Sequence, residues 1–214
     1  LRILAEIGMD FLDVDARNAL KAAGAETSPD DQRVRFDPAM VTELIATAPS
    51  EFTLHATNPA HHLKIGGDWM AFGTVGSPPN VADLDRGRRI GNRDDYQNLL
   101  RLGQSLTPVH FLAGYPVEPV DIHHGVRHLH ATFDALTLMD KAIHCYSLGR
   151  QRNIDVLEMV RIARGIDEAT IDLEPSVFTV VNSSSPLRLD APMLQGIMAF
   201  ASRNQVVCIT PFTL

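Results

Sequence analysis

The amino-acid sequence predicts an α/β protein whose main part is a parallel sheet flanked by helices. Short apolar runs begin at Val109, Ile143, Val177 and Val206, roughly every 30 residues, which is the length of one β-α unit. A helical pattern lies between successive runs, and the runs lack the polar alternation of a half-exposed strand. Strands covered on both faces and joined by helices form a parallel sheet with right-handed crossovers.

Residues 1–50 are predicted to form a helical segment. The helical pattern that starts at Val14 ends at Gly24, a residue that tolerates the left-handed conformation following a helix. A second helix is expected after Asp37, a good N-cap, with Pro38 at its first position. The sequence opens inside a helical pattern without an initiator Met and stops soon after an apolar run, so we expect a piece of a longer protein.

Residues 51–68 are predicted to form a small antiparallel β element. Strand-like runs at 52–56 and 63–65 are separated by turn residues, and the Gly-Gly pair at 66–67 is a hairpin signal. Two short strands with such turns are typical of a small antiparallel pair.

Residues 69–214 are predicted to hold about five parallel strands and four helices, the first part of a (β/α)8 barrel. The strands are expected at 69–72, 109–113, 142–146, 177–181 and 206–209, with helices that begin near Asn92, His124, Asn153 and Asp190. An open doubly wound sheet is the alternative, but no G-x-G-x-x-G follows the first strand. A full barrel needs about 250 residues, so roughly three units are expected beyond this sequence.

Composition excludes several classes of protein. The apolar share of 45% is too high for a disordered chain, and the formal charge of −7 argues against a surface that coats nucleic acid or an anionic membrane. No apolar run reaches the length of about 18 residues that a membrane span needs. The only cysteines, Cys145 and Cys208, indicate free thiols in a reducing compartment, so we expect a cytoplasmic protein and core-packing roles for both.

The loops that end the strands carry amide, hydroxyl and aromatic groups with one carboxylate. They contain no row of Asp and His metal ligands and no basic phosphate cradle. Aromatic faces attract quaternary ammonium groups, and a carboxylate supplies negative charge. Such a rim predicts a small cationic or neutral ligand, because chemistry lies at the carboxyl ends of the strands in a barrel.

Five of these segments resemble the trimethylamine:corrinoid methyltransferase family. They are FGTVGSPPNVAD at 72–83, GYPVEP at 114–119, HCYSLG at 144–149, VNSSSPL at 181–187 and ITPF at 209–212. The similarity covers essentially the whole chain and is greatest to bacterial members lacking pyrrolysine, which include glycine betaine methyltransferases. It implies a (β/α)8 barrel that moves a methyl group from a methylated amine to the Co(I) of a corrinoid carried by a separate protein.

Under this resemblance the strand-end residues acquire roles, although no residue is assigned to catalysis. The substrate-binding positions are the aromatic, acidic, amide and hydroxyl side chains Tyr115, Glu118, Tyr146, Asn182, Ser184 and Phe212. The tyrosines and Phe212 are expected to surround the amine, Glu118 to favour cations, and Asn182 with Ser184 to orient the substrate or the corrin edge. The corrinoid is expected to meet the first loop at Gly76, Ser77 and Asn80.

Two other functions stay open. His123, His124 and His128 could serve a metal-dependent barrel lyase or hydrolase, since His124 and His128 are an i, i+4 pair. A non-catalytic protein that binds quaternary amines or docks a corrinoid protein would use the same scaffold. The choice between trimethylamine and glycine betaine is also open, as is homo-oligomerisation, while no nucleic-acid or membrane partner is expected.

Overall fold

The N-terminal segment combines helices with short strands. The structure, a computed structural model, describes residues 1–29 and 31–211. Its first elements are α1 (Arg2–Glu6), β1 (Met9–Phe11), α2 (Val14–Ala22), β2 (Glu26–Thr27), β3 (Arg33–Arg35) and α3 (Pro38–Ile45). The Asp13 carboxylate accepts from the Ala16 amide and the Asp37 carboxylate from the Ala39 amide, which fixes where α2 and α3 begin. The strands were not predicted, because two or three residues are too short to show a period.

An antiparallel pair lies within residues 51–68. It consists of β4 (Glu51–Leu54) and β5 (Leu63–Gly66), joined through a 3-10 turn at Pro59–His61. The Gly-Gly pair ends β5 and does not turn between two strands. The following residues, 69–72, form no strand, and Trp69 and Met70 are exposed.

A second hairpin was not predicted. It pairs β6 (Asn80–Asp83) with β7 (Gly87–Ile90). The Arg89 guanidinium contacts the carboxylates of Asp83 and Asp95, so the hairpin is fastened to the first turn of the next helix. The sequence there reads as a charged loop because its strands carry few apolar residues.

The remaining elements alternate helices with strands. They are α4 (Arg93–Ser105), α5 (Arg127–Leu138), β8 (Ile143–Tyr146), α6 (Arg150–Arg164), α7 (Glu168–Leu173), β9 (Val177–Ser183), β10 (Arg188–Leu189), α8 (Ala191–Ala201) and β11 (Val206–Pro211). The strands β8, β9 and β11 form a parallel sheet in the order β11-β9-β8. The helices α4, α5, α6 and α8 begin within three residues of the positions that the helical patterns predicted.

Two further segments continue this sheet through single bridges. Phe111 bridges Ala142 in parallel, and Gly73 bridges Phe111 in parallel. Five segments therefore lie side by side in chain order, but the prediction of full strands at 69–72 and 109–113 was wrong. Prolines and glycines flank both segments in the sequence, and neither residue type sustains a ladder.

Apolar residues cover both faces of the parallel sheet. On one face Ile143, Cys145 and Val177 pack with buried residues of the helices, among them Leu100 and Val156. On the other face Phe111, Ala142 and Phe178 pack against Leu54 at the end of β4 and against Ala56, which follows it. The Cys208 thiol is exposed, so the prediction that it packs in the core was wrong.

The N-terminal segment is joined to the rest of the chain by one strand pair and a shared apolar cluster. The order of its sheet is β10-β1-β3-β2, in which Asp10 lies opposite Arg188 and Phe11 opposite Leu189. Phe11 and Leu189 share a buried cluster with Leu194 of α8. The loop after β9 is thereby tied to residues 1–50. In the described part of the chain, no helix combines the length and apolarity needed to cross a bilayer.

Candidate functional site

The loop after the first bridged segment lies directly against the loop after the second. The Ser77 amide donates to the Tyr115 carbonyl at 2.6 Å, and the Glu118 amide donates to the Pro78 carbonyl at 2.9 Å. These backbone bonds fix the relative positions of two loops that the sequence placed at the same edge of the sheet.

The end of β8 joins the same group. Gly114 has φ +156°, and a Cβ there would lie 2.8 Å from the Tyr146 hydroxyl and 3.0 Å from the Gly76 Cα. The Tyr146 hydroxyl accepts a hydrogen bond of 2.9 Å from the Tyr115 amide. Only glycine therefore fits at position 114, where three loops converge.

The two predicted pocket tyrosines contact one another edge to face. Their ring centroids lie 4.6 Å apart, and the ring of Tyr115 also packs at 5.5 Å against Tyr96. Tyr115 is 9% exposed, whereas Tyr146 is half-buried. Burial raises the pKa of both phenols well above the usual range, so both carry neutral hydroxyls. Tyr115 thus belongs to the core, and Tyr146 is the more accessible aromatic wall.

A cavity of about 180 Å³ adjoins these rings. It lies between the end of β8 and the first turns of α5 and α6, and its walls include Tyr115, Glu118, Arg127, His128, His144 and Tyr146. Both predicted tyrosines and the predicted carboxylate therefore share one small, mostly enclosed space.

Glu118 does not present a free negative charge to this cavity. Its carboxylate lies 3.3 Å from a guanidinium nitrogen of Arg127. Burial raises the pKa of Glu118, and the Arg127 charge opposes that rise. The expectation that Glu118 alone attracts a cation therefore needs correction, because the charge is balanced within the site.

The fourth strand end lies apart from the tyrosines. Asn182 of β9 lies opposite Thr210 of β11, whose hydroxyl donates to the Asn182 side-chain oxygen. Ser184 pairs through its backbone with Arg188 and lines a different, mainly apolar cavity of about 780 Å³ beside the N-terminal segment. Phe212, the sixth predicted substrate residue, lies outside the described residues.

The residues expected to meet a corrinoid occupy the first loop. Gly76 is exposed, and its missing Cβ would lie 3.4 Å from the Ala113 carbonyl oxygen. Ser77 has φ 63° and is half-buried beside Gly114. Asn80 lies further along, at the start of β6 opposite Ile90. Gly76 and Ser77 therefore lie beside Gly114, where the loops converge, while Asn80 belongs to the base of the hairpin.

The histidine cluster does not assemble a metal site. His123 accepts from the Gly125 amide through Nδ1, and His128 pairs through Nε2 with the Asp155 carboxylate at 3.0 Å. Within residues 1–29 and 31–211, no three His, Cys, Asp or Glu side chains are grouped to hold a metal ion. Geometry in this part of the chain thus gives the metal-dependent alternative no support.

Sequence reasoning missed His144 as a site residue. It lies on β8 two residues before Tyr146, is 6% exposed, and lines the same cavity. We had interpreted 142–146 as a strand buried on both faces. A histidine within such an apolar run is expected to be a core residue, so His144 was not considered for the site. Its position two residues before a predicted pocket tyrosine, on the same strand face, was the available signal.

Comparison with known proteins places this geometry in a family. The family model described as trimethylamine methyltransferase (MTTB) matches residues 1–214. The glycine betaine methyltransferase of Desulfitobacterium hafniense (strain Y51) is 32% identical over 214 residues, which are all of this chain and 44% of that relative. This chain therefore spans less than half the length of that curated relative. The match extends over every strand-end loop described above, and the chain belongs to the trimethylamine methyltransferase (MTTB) family.

Proposed function

We propose that this chain is the N-terminal part of a methyltransferase that removes a methyl group from a methylated amine, with a quaternary amine such as glycine betaine as the preferred substrate. The acceptor in this proposal is the Co(I) of a corrinoid on a separate protein. Membership of the MTTB family supports the reaction class, and the name of the relative favours the quaternary amine.

The observation that carries the proposal is the convergence of Ser77, Gly114 and Tyr146 at one edge of the parallel sheet. In the proposed reaction the methylated amine and the large, flat corrinoid must meet at one site. Three loops that meet at the carboxyl ends of successive parallel strands provide such a place.

The side chains of this chain would act by positioning. A quaternary nitrogen already has a neutral amine as its leaving group, so no proton needs to move during transfer. The Tyr146 ring can hold the cation through its face, and the surrounding buried rings exclude water. The corrinoid would supply the nucleophile, which reacts only when the methyl group points towards it.

In this proposal the first loop and the end of β9 would meet the edge of the corrin. A corrin carries amide side arms, and Ser77, Asn182 and Thr210 offer hydroxyl and amide groups at that edge of the sheet. Gly76 is exposed and has no side chain to obstruct a flat group. These residues would bind and orient the acceptor, while Tyr146 holds the donor.

We further propose that the five parallel segments are the first five strands of a (β/α)8 barrel. Segments that are consecutive in the sequence lie next to each other in the sheet, and every pairing between them is parallel. The helices between these segments pack on one face of the sheet. The face opposite the helices, with Phe111 and Phe178, would then point into the barrel.

The test is a single-turnover reaction with the full-length protein. Free cob(I)alamin is mixed with the protein and with glycine betaine or trimethylamine, and the loss of Co(I) absorbance is followed. We expect fast loss with glycine betaine, slower loss with trimethylamine, and none when the amine or the protein is omitted. Saturable amine binding without Co(I) consumption would favour the non-catalytic binding protein, and absence of both would refute the proposal.

A further inference from the structure

His144 sits at the inner edge of the tyrosine cavity with its ring fixed by packing. Its Cα lies opposite Phe178 in the parallel register. The ring centroid lies 4.6 Å from that of Tyr146 and 5.1 Å from that of Phe178, both in edge-to-face contact. With 6% of the residue exposed, His144 has little freedom to rotate away.

The hydrogen bonding of the ring determines where its proton lies. The Val180 amide donates to Nε2 at 3.3 Å, so this nitrogen offers a lone pair. Burial lowers the pKa of His144 to about 4, and the ring is therefore neutral near pH 7. A neutral imidazole that accepts at Nε2 must carry its hydrogen at Nδ1.

This Nδ1 has no partner among residues 1–29 and 31–211. A buried donor without an acceptor costs free energy, and native structures rarely retain one without a use. The missing acceptor must be small enough for the cavity that His144 and Tyr146 share.

The guanidinium groups beside the cavity already bond to other protein atoms. Arg127 bonds to the Glu118 carboxylate and to the Ile122 carbonyl. Arg152 donates to the His124 carbonyl. His128 also has an unpartnered Nδ1 in the described chain, but its Nε2 faces the Asp155 carboxylate.

We propose that the Nδ1–H of His144 donates a hydrogen bond to the carboxylate of the substrate, and that this bond selects a quaternary amine bearing a carboxylate over one without it. The inference rests on the proposed function. In glycine betaine a single methylene separates the ammonium from the carboxylate, so neighbouring side chains must hold both groups. Tyr146 and His144 are such neighbours, one with an aromatic face for the cation and the other with an N–H for the anion.

The first test measures binding by calorimetry in the full-length protein, with glycine betaine and tetramethylammonium as probes. His144→Phe keeps the ring packing and removes the donor. We expect it to weaken glycine betaine binding about ten-fold or more, and tetramethylammonium binding less than two-fold. Equal losses for both probes, or no loss for either, would overturn the assignment.

The matched control is His110→Phe. The His110 Nδ1 also accepts a backbone hydrogen bond, from the Phe72 amide, and its ring stacks on Phe72, but it lines a different cavity. This variant loses the same kind of bond away from the tyrosines. We expect it to leave both affinities unchanged within two-fold.

A second measurement follows binding in the wild-type protein, so it still tests the proposal if His144→Phe fails to fold. The full-length protein is labelled with 15N-histidine, and the His144 Nδ1 signal is assigned by its absence in His144→Gln. That signal should shift with glycine betaine and stay in place with tetramethylammonium. A signal that both probes leave unmoved refutes the role of His144, whereas wild-type protein that binds neither probe refutes the proposed function itself.

Discussion

At the scale of single residues, the site depends on hydrogen bonds that the sequence pattern could not show. Tyr115 and Tyr146 were predicted as equal walls of one pocket, yet only Tyr146 uses its hydroxyl within the described chain, where it accepts from the Tyr115 amide. Glu118 was predicted as a free charge and is paired with Arg127. Residue types can be read from a sequence, but which side chain neutralises which depends on packing between distant segments.

Tyr146→Phe should therefore destabilise the protein more than Tyr115→Phe. The first change leaves the Tyr115 amide without its acceptor at a convergence of loops, and we expect a loss of about 1 to 2 kcal/mol in the free energy of unfolding. The second removes a hydroxyl that bonds to nothing in residues 1–29 and 31–211, and we expect less than about 0.5 kcal/mol. Urea unfolding of the full-length variants measures both values. Equal losses would show that the hydroxyl of Tyr146 does not hold the loops.

His144 predicts how stability depends on pH. Its pKa is about 4 in the folded protein against 6.5 when unfolded, because burial disfavours the charged ring. Between these values the unfolded chain binds a proton that the folded chain does not, so stability is complete above about pH 6.5 and falls as the pH drops towards 4. We expect a loss of about 2 kcal/mol from pH 7 to pH 5.

His144→Phe is the control for that pH dependence. The slope of unfolding free energy against pH should be clearly smaller in this variant than in wild type. His62, whose pKa burial also lowers, contributes with the same sign and remains in both proteins. Identical slopes would mean that His144 is protonated in the folded state.

At the scale of elements, long amphipathic helices and buried strands were predictable, while short or charged strands were not. The helices α4, α5, α6 and α8 and the strands β8, β9 and β11 follow the periodic patterns closely. The β6–β7 hairpin was missed because its strands are short and carry ion-paired side chains among few apolar ones. Its Arg89 reaches Asp95, which also forms the capping box of α4 with Asn92. One arginine thereby couples a hairpin to the start of a helix.

Arg89→Met should loosen the hairpin from α4. Without the guanidinium, Asp95 keeps only its role at the helix start, and Asp83 loses one of its two arginine partners. We expect faster amide hydrogen exchange across β6 and β7, with α8 unaffected. Arg88→Met is the matched control, because Arg88 is exposed and makes no ion pair in the described part of the chain. Exchange that speeds up equally in both variants would contradict the coupling.

At the scale of the whole molecule, the sequence predicted the repeated β-α order but not how the N-terminal segment attaches. Periodicity reports neighbours along the chain, so the parallel order of the five segments was within reach. The pairing of β1 with β10 joins residues from opposite ends of the chain, and no local pattern encodes it. The predicted boundary at residue 50 therefore marks a change in the sequence pattern, whereas the packing continues across it.

Phe11→Ala should weaken the whole molecule and not the N-terminal segment alone. Phe11 is 8% exposed and shares a cluster with Leu189 and Leu194. We expect a loss of about 3 kcal/mol with one cooperative unfolding transition in the full-length protein. Phe133→Ala removes an equally large ring that is 56% exposed, and it should cost less than about 1 kcal/mol. Separate melting of residues 1–50 in Phe11→Ala would show that the segment is an independent unit.

The pairing of β1 with β10 also bears on the order in which the chain folds. Each strand of the parallel sheet meets the next one synthesised, so the sheet can grow unit by unit as the polypeptide leaves the ribosome. The strand β1 is made before every strand of the parallel sheet, yet its partner β10 emerges only after β9, and closing so long a loop is slow. During translation the apolar side of the N-terminal segment therefore stays exposed until β10 has been made. A chaperone could bind this segment during that interval.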